Sequence, residues 1–174
     1  LGTPKVRYQD GELDFTPPWK RIRWLDAFRE FAGVEFAADA GADELAELCK
    51  SRGIETDPGA NAGRLLDKLF GELVEPRLVQ PTFVYDYPTE ISPLARRRDD
   101  NPALTERFEL YVNRFEVANA FSELTDPMEQ LRRFERQQAL RDAGDAEAHR
   151  IDLDFVRALQ YGMPPAGGLG IGID

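Results

Sequence analysis

The stretch Arg107 to Pro127, RFELYVNRFEVANAFSELTDP, decides how this chain is read. Aromatic and β-branched residues on either side of Asn113-Arg114 favour two strands. A two-residue turn at Asn113-Arg114 needs positive φ, which Arg114 adopts at a cost. With that turn, Val112 faces Phe115, Tyr111 faces Glu116 and Glu109 faces Ala118. A longer turn would shift this pairing. Glu109, Tyr111 and Glu116 then share a face, with the two carboxylates as diagonal neighbours. Carboxylates that close need a cation, a shared proton or separation by solvent. Oxygen ligands suit Mg²⁺, which is commonly held by one or two carboxylates plus substrate phosphates. Two exposed glutamates on a solvated face are the plainer alternative. Asn119, Phe121 and Glu123 alternate and so share a face of their own. An amide, a ring and a carboxylate there could hold a small amine-bearing ligand, the ring packing its stem and the carboxylate meeting its cation. An ordinary amphipathic strand has the same pattern.

Outside this stretch the chain has a globular composition. It has 174 residues, 42% hydrophobic and 31% charged, the size of one domain or one core with a small subdomain. No apolar run approaches the length of a transmembrane helix. Leu1-Gly2-Thr3-Pro4 lacks the basic start and apolar core of a signal peptide. Cys49 is the single cysteine and cannot form an internal disulfide, which fits a reducing cytoplasm. The single histidine, His149, excludes His-based metal clusters and His-dependent triads within these residues. A net charge of −10 argues against a free-standing nucleic-acid binder. Arg96-Arg97-Arg98 is followed at once by Asp99-Asp100, so it reads as a solvated loop, with a phosphate contact as the alternative.

Turn and cap signals divide the chain. Asp10-Gly11 predicts a hairpin with strands near residues 5–9 and 12–16, ended by Pro17-Pro18. Trp24, Phe28 and Phe31 line one face of a helix stopped by Gly33. Asp43 is the expected N-cap of a second helix carrying Leu45, Leu48 and Cys49, with Gly53 as its stop. Leu66, Leu69, Phe70 and Leu73 mark a third helix, limited by Pro76. Residues 19–76 thus read as a helical subdomain with its own core. TFVYDY at 82–87 reads as a strand, and Thr89–Ser92 as a short extended piece between prolines. A polar loop covers 96–104. Asp126-Pro127 opens a helix whose expected buried stripe is Met128, Leu131, Phe134 and Leu140. Asp152 caps a last helix through Val156 and Leu159. GGLGIGID, residues 167–174, reads as a buried strand whose glycines allow a close approach.

These motifs together resemble the end of a class II aminoacyl-tRNA synthetase catalytic domain, in particular that of the lysyl-tRNA synthetase family. YQDGELDFTPPW, LVQPTFVYDYPTEISPLARR and YGMPP extend the resemblance over essentially the whole chain. It implies an α+β fold, an antiparallel sheet with a helical insertion. Residues 1–18 and 77–174 would belong to the catalytic core, and 19–76 to the insertion. By position, Glu109 and Glu116 correspond to the family's glutamates for Mg²⁺ with ATP. Asn119, Phe121 and Glu123 correspond to its lysine pocket, Glu123 pairing with the ε-ammonium. Gly170 and Gly172 correspond to glycines lining that pocket. ATP and lysine react with each other, so all four of Glu116, Asn119, Phe121 and Glu123 must look into one site. Strict alternation forbids this, and an extra residue at Val117 or Ala118 would restore it.

The resemblance implies a cytoplasmic, homodimeric, membrane-free parent that activates lysine with ATP and charges tRNA(Lys). Arg114 departs from the glycine frequent at that turn in the family. The family's first two motifs, its anticodon-binding barrel and the arginine of its third motif have no counterpart here. The chain therefore reads as a fragment with no catalytic residue retained and is expected to be inactive alone. Two alternatives are a paralogue that attaches a lysine-like acid to a protein, and a non-enzymatic interaction fragment.

Overall fold

In the computed structural model, which describes residues 2–9, 11–145 and 148–173, a five-stranded sheet carries the chain's central hairpin. Strands β1 (Lys5–Tyr8) and β2 (Gly11–Asp14) first form the expected antiparallel hairpin. Its turn residue Asp10 lies outside the described residues. Gln80 ties this hairpin to the main sheet, accepting from the Asp14 amide at 2.9 Å and donating to the Glu12 carbonyl at 2.9 Å.

The main sheet runs β3 (Lys20–Arg23), β4 (Thr82–Tyr85), β5 (Arg107–Val112), β6 (Phe115–Ser122) and β7 (Gly167–Ile171). The β3–β4 pair is parallel and the others are antiparallel. Strand β3 corrects the reading of residues 19–76 as wholly helical. Its alternation rests on a single buried side chain, Ile22, between exposed arginines. That is too short to stand out beside the helical pattern that follows. A parallel pair needs a long crossover. Helices α1 (Trp24–Ala32), α2 (Ala42–Ser51) and α3 (Ala62–Leu73) supply it.

Local chemistry sets the helix ends. Gly33 closes α1 in the left-handed conformation at φ 62°. Gly41, rather than Asp43, is the N-cap of α2, and Asp43 sits in its first turn. The Asn61 side chain accepts from the Arg64 amide at 3.0 Å and caps α3.

The helices do not bury a core of their own. Trp24 stacks on Phe70 with centroids 5.5 Å apart and meets Phe28 at 4.7 Å. The same apolar cluster takes in Leu45, Leu66 and Leu69, and from the sheet side Ile22, Val84, Tyr87 and Tyr111. One core therefore spans helices and sheet.

Further along, Thr89–Ile91 is a 3₁₀ turn rather than an extended piece. Helix α4 (Pro127–Asp142) is capped by Asp126, whose Oδ1 accepts from the Met128 and Glu129 amides at 2.8 and 3.1 Å. Its buried side differs from the expected stripe. Phe134 is buried as expected, but Met128 is 54% exposed and Gln130 and Arg133 are buried in its place. Carbonyls on the loop beneath, which take side-chain donors from the helix, explain this. Arg133 Nη1 donates to the Ser92 and Ala95 carbonyls at 3.0 and 2.7 Å, and Gln130 Nε2 donates to Pro93 at 3.2 Å. Helix α5 (Leu153–Gln160) is capped by Asp152 as expected. Strand β7 is an edge strand, not a buried one, with Leu169 and Ile171 exposed.

Because Trp24 is fully buried where helices and sheet meet, Trp24→Ala should cost about 3–5 kcal/mol. Urea denaturation followed by circular dichroism should show helix and strand signals lost in one transition. Separate transitions would mean separate cores.

Candidate functional site

The turn of the central hairpin is the two-residue one, with Asn113 at φ 51° and Arg114 at φ 70°. Both turn amides are anchored outside the hairpin. Asn113 donates to the Val79 carbonyl and Arg114 to the Leu78 carbonyl, each at 2.8 Å. These bonds and the Arg114 Nε contact to the Pro76 carbonyl at 3.2 Å offset the cost of a non-glycine left-handed residue.

Beyond the turn, Tyr111 pairs with Glu116, but Leu110 pairs with Ala118. Val117 is the extra residue, and the ladder shifts there. Glu109 consequently faces Asn119, not Ala118, which corrects the pairing obtained from strict alternation. The phase of β6 reverses at the bulge. Glu116 lies opposite Tyr111, Asn119 opposite Glu109, and Phe121 opposite Arg107. All belong to the face carrying Arg107, Glu109 and Tyr111. Ala118 and Ala120 are buried on the other face.

Strand β7 adds glycines to this face. Gly168 pairs with Phe121 and Gly170 with Asn119. The Gly172 amide donates to the Val117 carbonyl at 3.0 Å, across from the bulge itself. Gly168 carries a constraint that the sequence reading missed. A Cβ built there would overlap Oε1 of Glu123, so the Glu123 carboxylate occupies the space a side chain would take. Beside Gly170 and Gly172 a Cβ would meet only backbone carbonyls, at 3.9 Å in each case. The alternation Gly168-x-Gly170-x-Gly172 was the available signal.

Glu109 is 4% exposed and has four donors. Its Oε2 accepts from the Tyr87 and Tyr111 hydroxyls, each at 2.6 Å. Its Oε1 accepts from Arg107 Nη2 and, at 3.4 Å, from Asn119 Nδ2. Burying a carboxylate this far is costly unless donors such as these surround it. Its charge acts on neighbouring groups. Burial first, and then Glu109, raise the Tyr87 and Tyr111 hydroxyls well above the ordinary phenol range. Glu116 is exposed overall, yet its carboxyl sits close enough to the sheet to lose water. That loss, and then Glu109, push its pKa up, while Arg107 and a hydrogen bond from Asn119 pull it down. Glu75, in the 3₁₀ turn Glu75–Arg77, is raised in the same order by burial and by Glu109. Nothing in the local sequence marked Glu75 or Tyr87, because both reach this face from outside its strands.

The Glu123 carboxylate contrasts with Glu109. It is half-buried and makes no hydrogen bond or ion pair among the described residues. The Arg96-Arg97-Arg98 run, by comparison, is committed to acids: Arg96 to Asp99, Arg97 to Glu129, and Arg98 to Asp86 and Asp100. Among the described residues no group of three or more His, Cys, Asp or Glu side chains is arranged to hold a metal ion. No helix among them is long and apolar enough to cross a membrane.

Residues 3–174 match the family of class II tRNA synthetases for D, K and N. The chain belongs to that family. Within it, the chain is 54% identical over 173 residues to a lysine–tRNA ligase of Thermoanaerobacter sp. (strain X514), covering 99% of this chain and 35% of the relative. It is 52% identical over 174 residues to the lysine–tRNA ligase of Moorella thermoacetica, covering 100% and 36%. For the lysine–tRNA ligase of Thermotoga maritima the identity is 54% over 173 residues, covering 99% and 34%. The chain thus spans about a third of the length of these class II synthetases. Its mixed fold and antiparallel-dominated sheet agree with the family's catalytic domain.

Two measurements probe the site as described. A raised carboxyl binds protons more tightly in the folded chain than in the unfolded one. Its stability contribution is therefore full below the ordinary carboxylate range and lost as pH rises through the raised pKa. Glu116→Gln should raise the melting temperature at neutral pH and flatten its fall with rising pH above about 4.5. A lower melting temperature at neutral pH would contradict the repulsion. Gly168→Ala should leave stability within about 1 kcal/mol, because the displaced atom is the end of a flexible side chain. The Glu123 carboxylate should nevertheless move, which a crystal structure of the variant would show.

Proposed function

We propose that this chain is the part of a lysine–tRNA ligase that holds the lysine side chain and the carboxylates for Mg²⁺ with ATP. The observation that carries this reading is the half-buried Glu123 carboxylate without a partner among the described residues. Such a group awaits a cation, and an ε-ammonium with its apolar stem matches a carboxylate beside an aromatic ring. Phe121 would pack the stem, and Asn119 would hydrogen-bond the polar end of the ligand. Gly170 and Gly172 would keep that wall of the pocket low. The parent would activate lysine with ATP, forming lysyl-adenylate and releasing pyrophosphate, and pass the lysyl group to tRNA(Lys), as a cytoplasmic homodimer. Helices α1–α3 would be the insertion within the catalytic domain.

The donor set suits a hard cation bound together with substrate oxygens. Glu116 is exposed, and its pKa is raised first by loss of water and then by repulsion from Glu109, which positive charge would relieve. Both oxygens of Glu109 already accept hydrogen bonds, so a cation there would exchange with the donors on Oε1. Glu109 and Glu116 are the residues that would hold Mg²⁺. When bound, Mg²⁺ would neutralise charge on the nucleotide's phosphates. The protein's own part is preorganisation: a fixed carboxylate pair and a pocket that orients lysine beside it.

A buried carboxylate left without its ammonium is penalised, so neutral amino acids should be rejected. Glu123→Gln in the full-length ligase carrying this chain should raise the KM for lysine about a hundredfold in ATP–pyrophosphate exchange. The KM for ATP should change little. An unchanged lysine KM would remove Glu123 from the pocket.

A further inference from the structure

Arg107 touches both halves of the proposed site. Its Nη2 donates to Glu109 Oε1, and its Nε donates to Asn119 Oδ1 at 3.3 Å. Its Nη1 is anchored on the Ile91 carbonyl at 2.8 Å and on Ser92 Oγ at 3.1 Å. The guanidinium lies over the Tyr87 ring, 4.6 Å from its centroid. The side chain is 16% exposed. All three guanidinium nitrogens and one flat face of the group are therefore engaged, which holds its rotamer.

The consequence falls on Asn119. A guanidinium can only donate, so the amide must turn its oxygen to Arg107. Carboxylates can only accept, so the amide nitrogen must face the Glu109 side. Asn119 Nδ2 lies 3.4 Å from Glu109 Oε1. The flip state of Asn119 is dictated by chemistry rather than left free. Without Arg107 the oxygen end would lose its donor, and the amide could rotate.

We propose that Arg107 is a positioning residue. One guanidinium sets both the carboxylate assigned to Mg²⁺ and the amide assigned to lysine, and so fixes the distance between the two reacting substrates. This rests on the lysine-pocket reading above. Lysine would not replace it, because a single ammonium on a flexible stem cannot serve Glu109, Asn119, Ile91 and Ser92 together.

The test is a double-mutant cycle in the full-length ligase, read as the KM for lysine in ATP–pyrophosphate exchange. Arg107→Lys and Arg107→Ala should each raise that KM about tenfold or more. In an Asn119→Ala background the same changes should raise it less than about twofold, because the amide they position is gone. Melting temperatures of all variants separate this coupling from general destabilisation. Equal effects of Arg107→Lys in both backgrounds would overturn the proposal. So would a lysine KM unchanged by either Arg107 variant. If neither variant folds, Arg107 is a structural residue and the proposal also fails. The lysine-pocket reading fails separately, if Asn119→Ala and Glu123→Gln themselves leave the lysine KM unchanged.

Discussion

One extra residue in β6 governs which side chains meet. The side-chain period of a strand is two, so Glu116 and Asn119 would face opposite sides of a regular ladder. Val117 takes no partner on β5, and the strand resumes in the other phase. Glu116, Asn119 and Phe121 then stand over one surface, facing Tyr111, Glu109 and Arg107. The small buried Ala118 and Ala120 let the strand bend on its far side without overfilling the space behind. Gly172 closes the bulge from the neighbouring strand by donating to Val117. The glycines in and just after β7 thus serve the bulge as well as the open face.

The same surface is apolar at one end and polar at the other. Tyr111 packs against Phe70, 5.8 Å between centroids, while its hydroxyl reaches Glu109. Tyr87 does the same from the loop after β4. The buried charge is therefore mounted on the hydrophobic core through two phenol rings. Removing it would strand two hydroxyls and a guanidinium, a loss of about 3–5 kcal/mol for a broken buried pair. Rigidity at Glu109 and openness at Glu116 and Glu123 follow from this arrangement. The groups meant to hold the frame are saturated, and those facing solvent are not.

Much of this was legible in local chemistry. The Asn113-Arg114 turn, the Asp126 and Asp152 caps and the Gly33 stop each depend on residues a few positions apart. The alternation of Asn119, Phe121 and Glu123 marked one face. What failed was what distance in sequence hides. Lys20–Arg23 became a strand only because Thr82–Tyr85 lies beside it. Arg133 and Gln130 were buried because they donate to carbonyls distant in sequence. The Glu109–Asn119 pairing escaped strict alternation because a bulge has no composition of its own. The resemblance supplied the reason to expect one. Arg107, Tyr87, Glu75 and Gly168 acquire meaning only through the atoms they meet in the fold.

Cross-strand nuclear Overhauser contacts in the isotopically labelled chain test the bulge directly. The account predicts contacts of Tyr111 with Glu116 and of Glu109 with Asn119 in the same spectrum, with Val117 matched to no residue of β5. A contact of Glu109 with Ala118, in an unbroken ladder, would contradict it and place Glu116 and Glu123 on opposite faces.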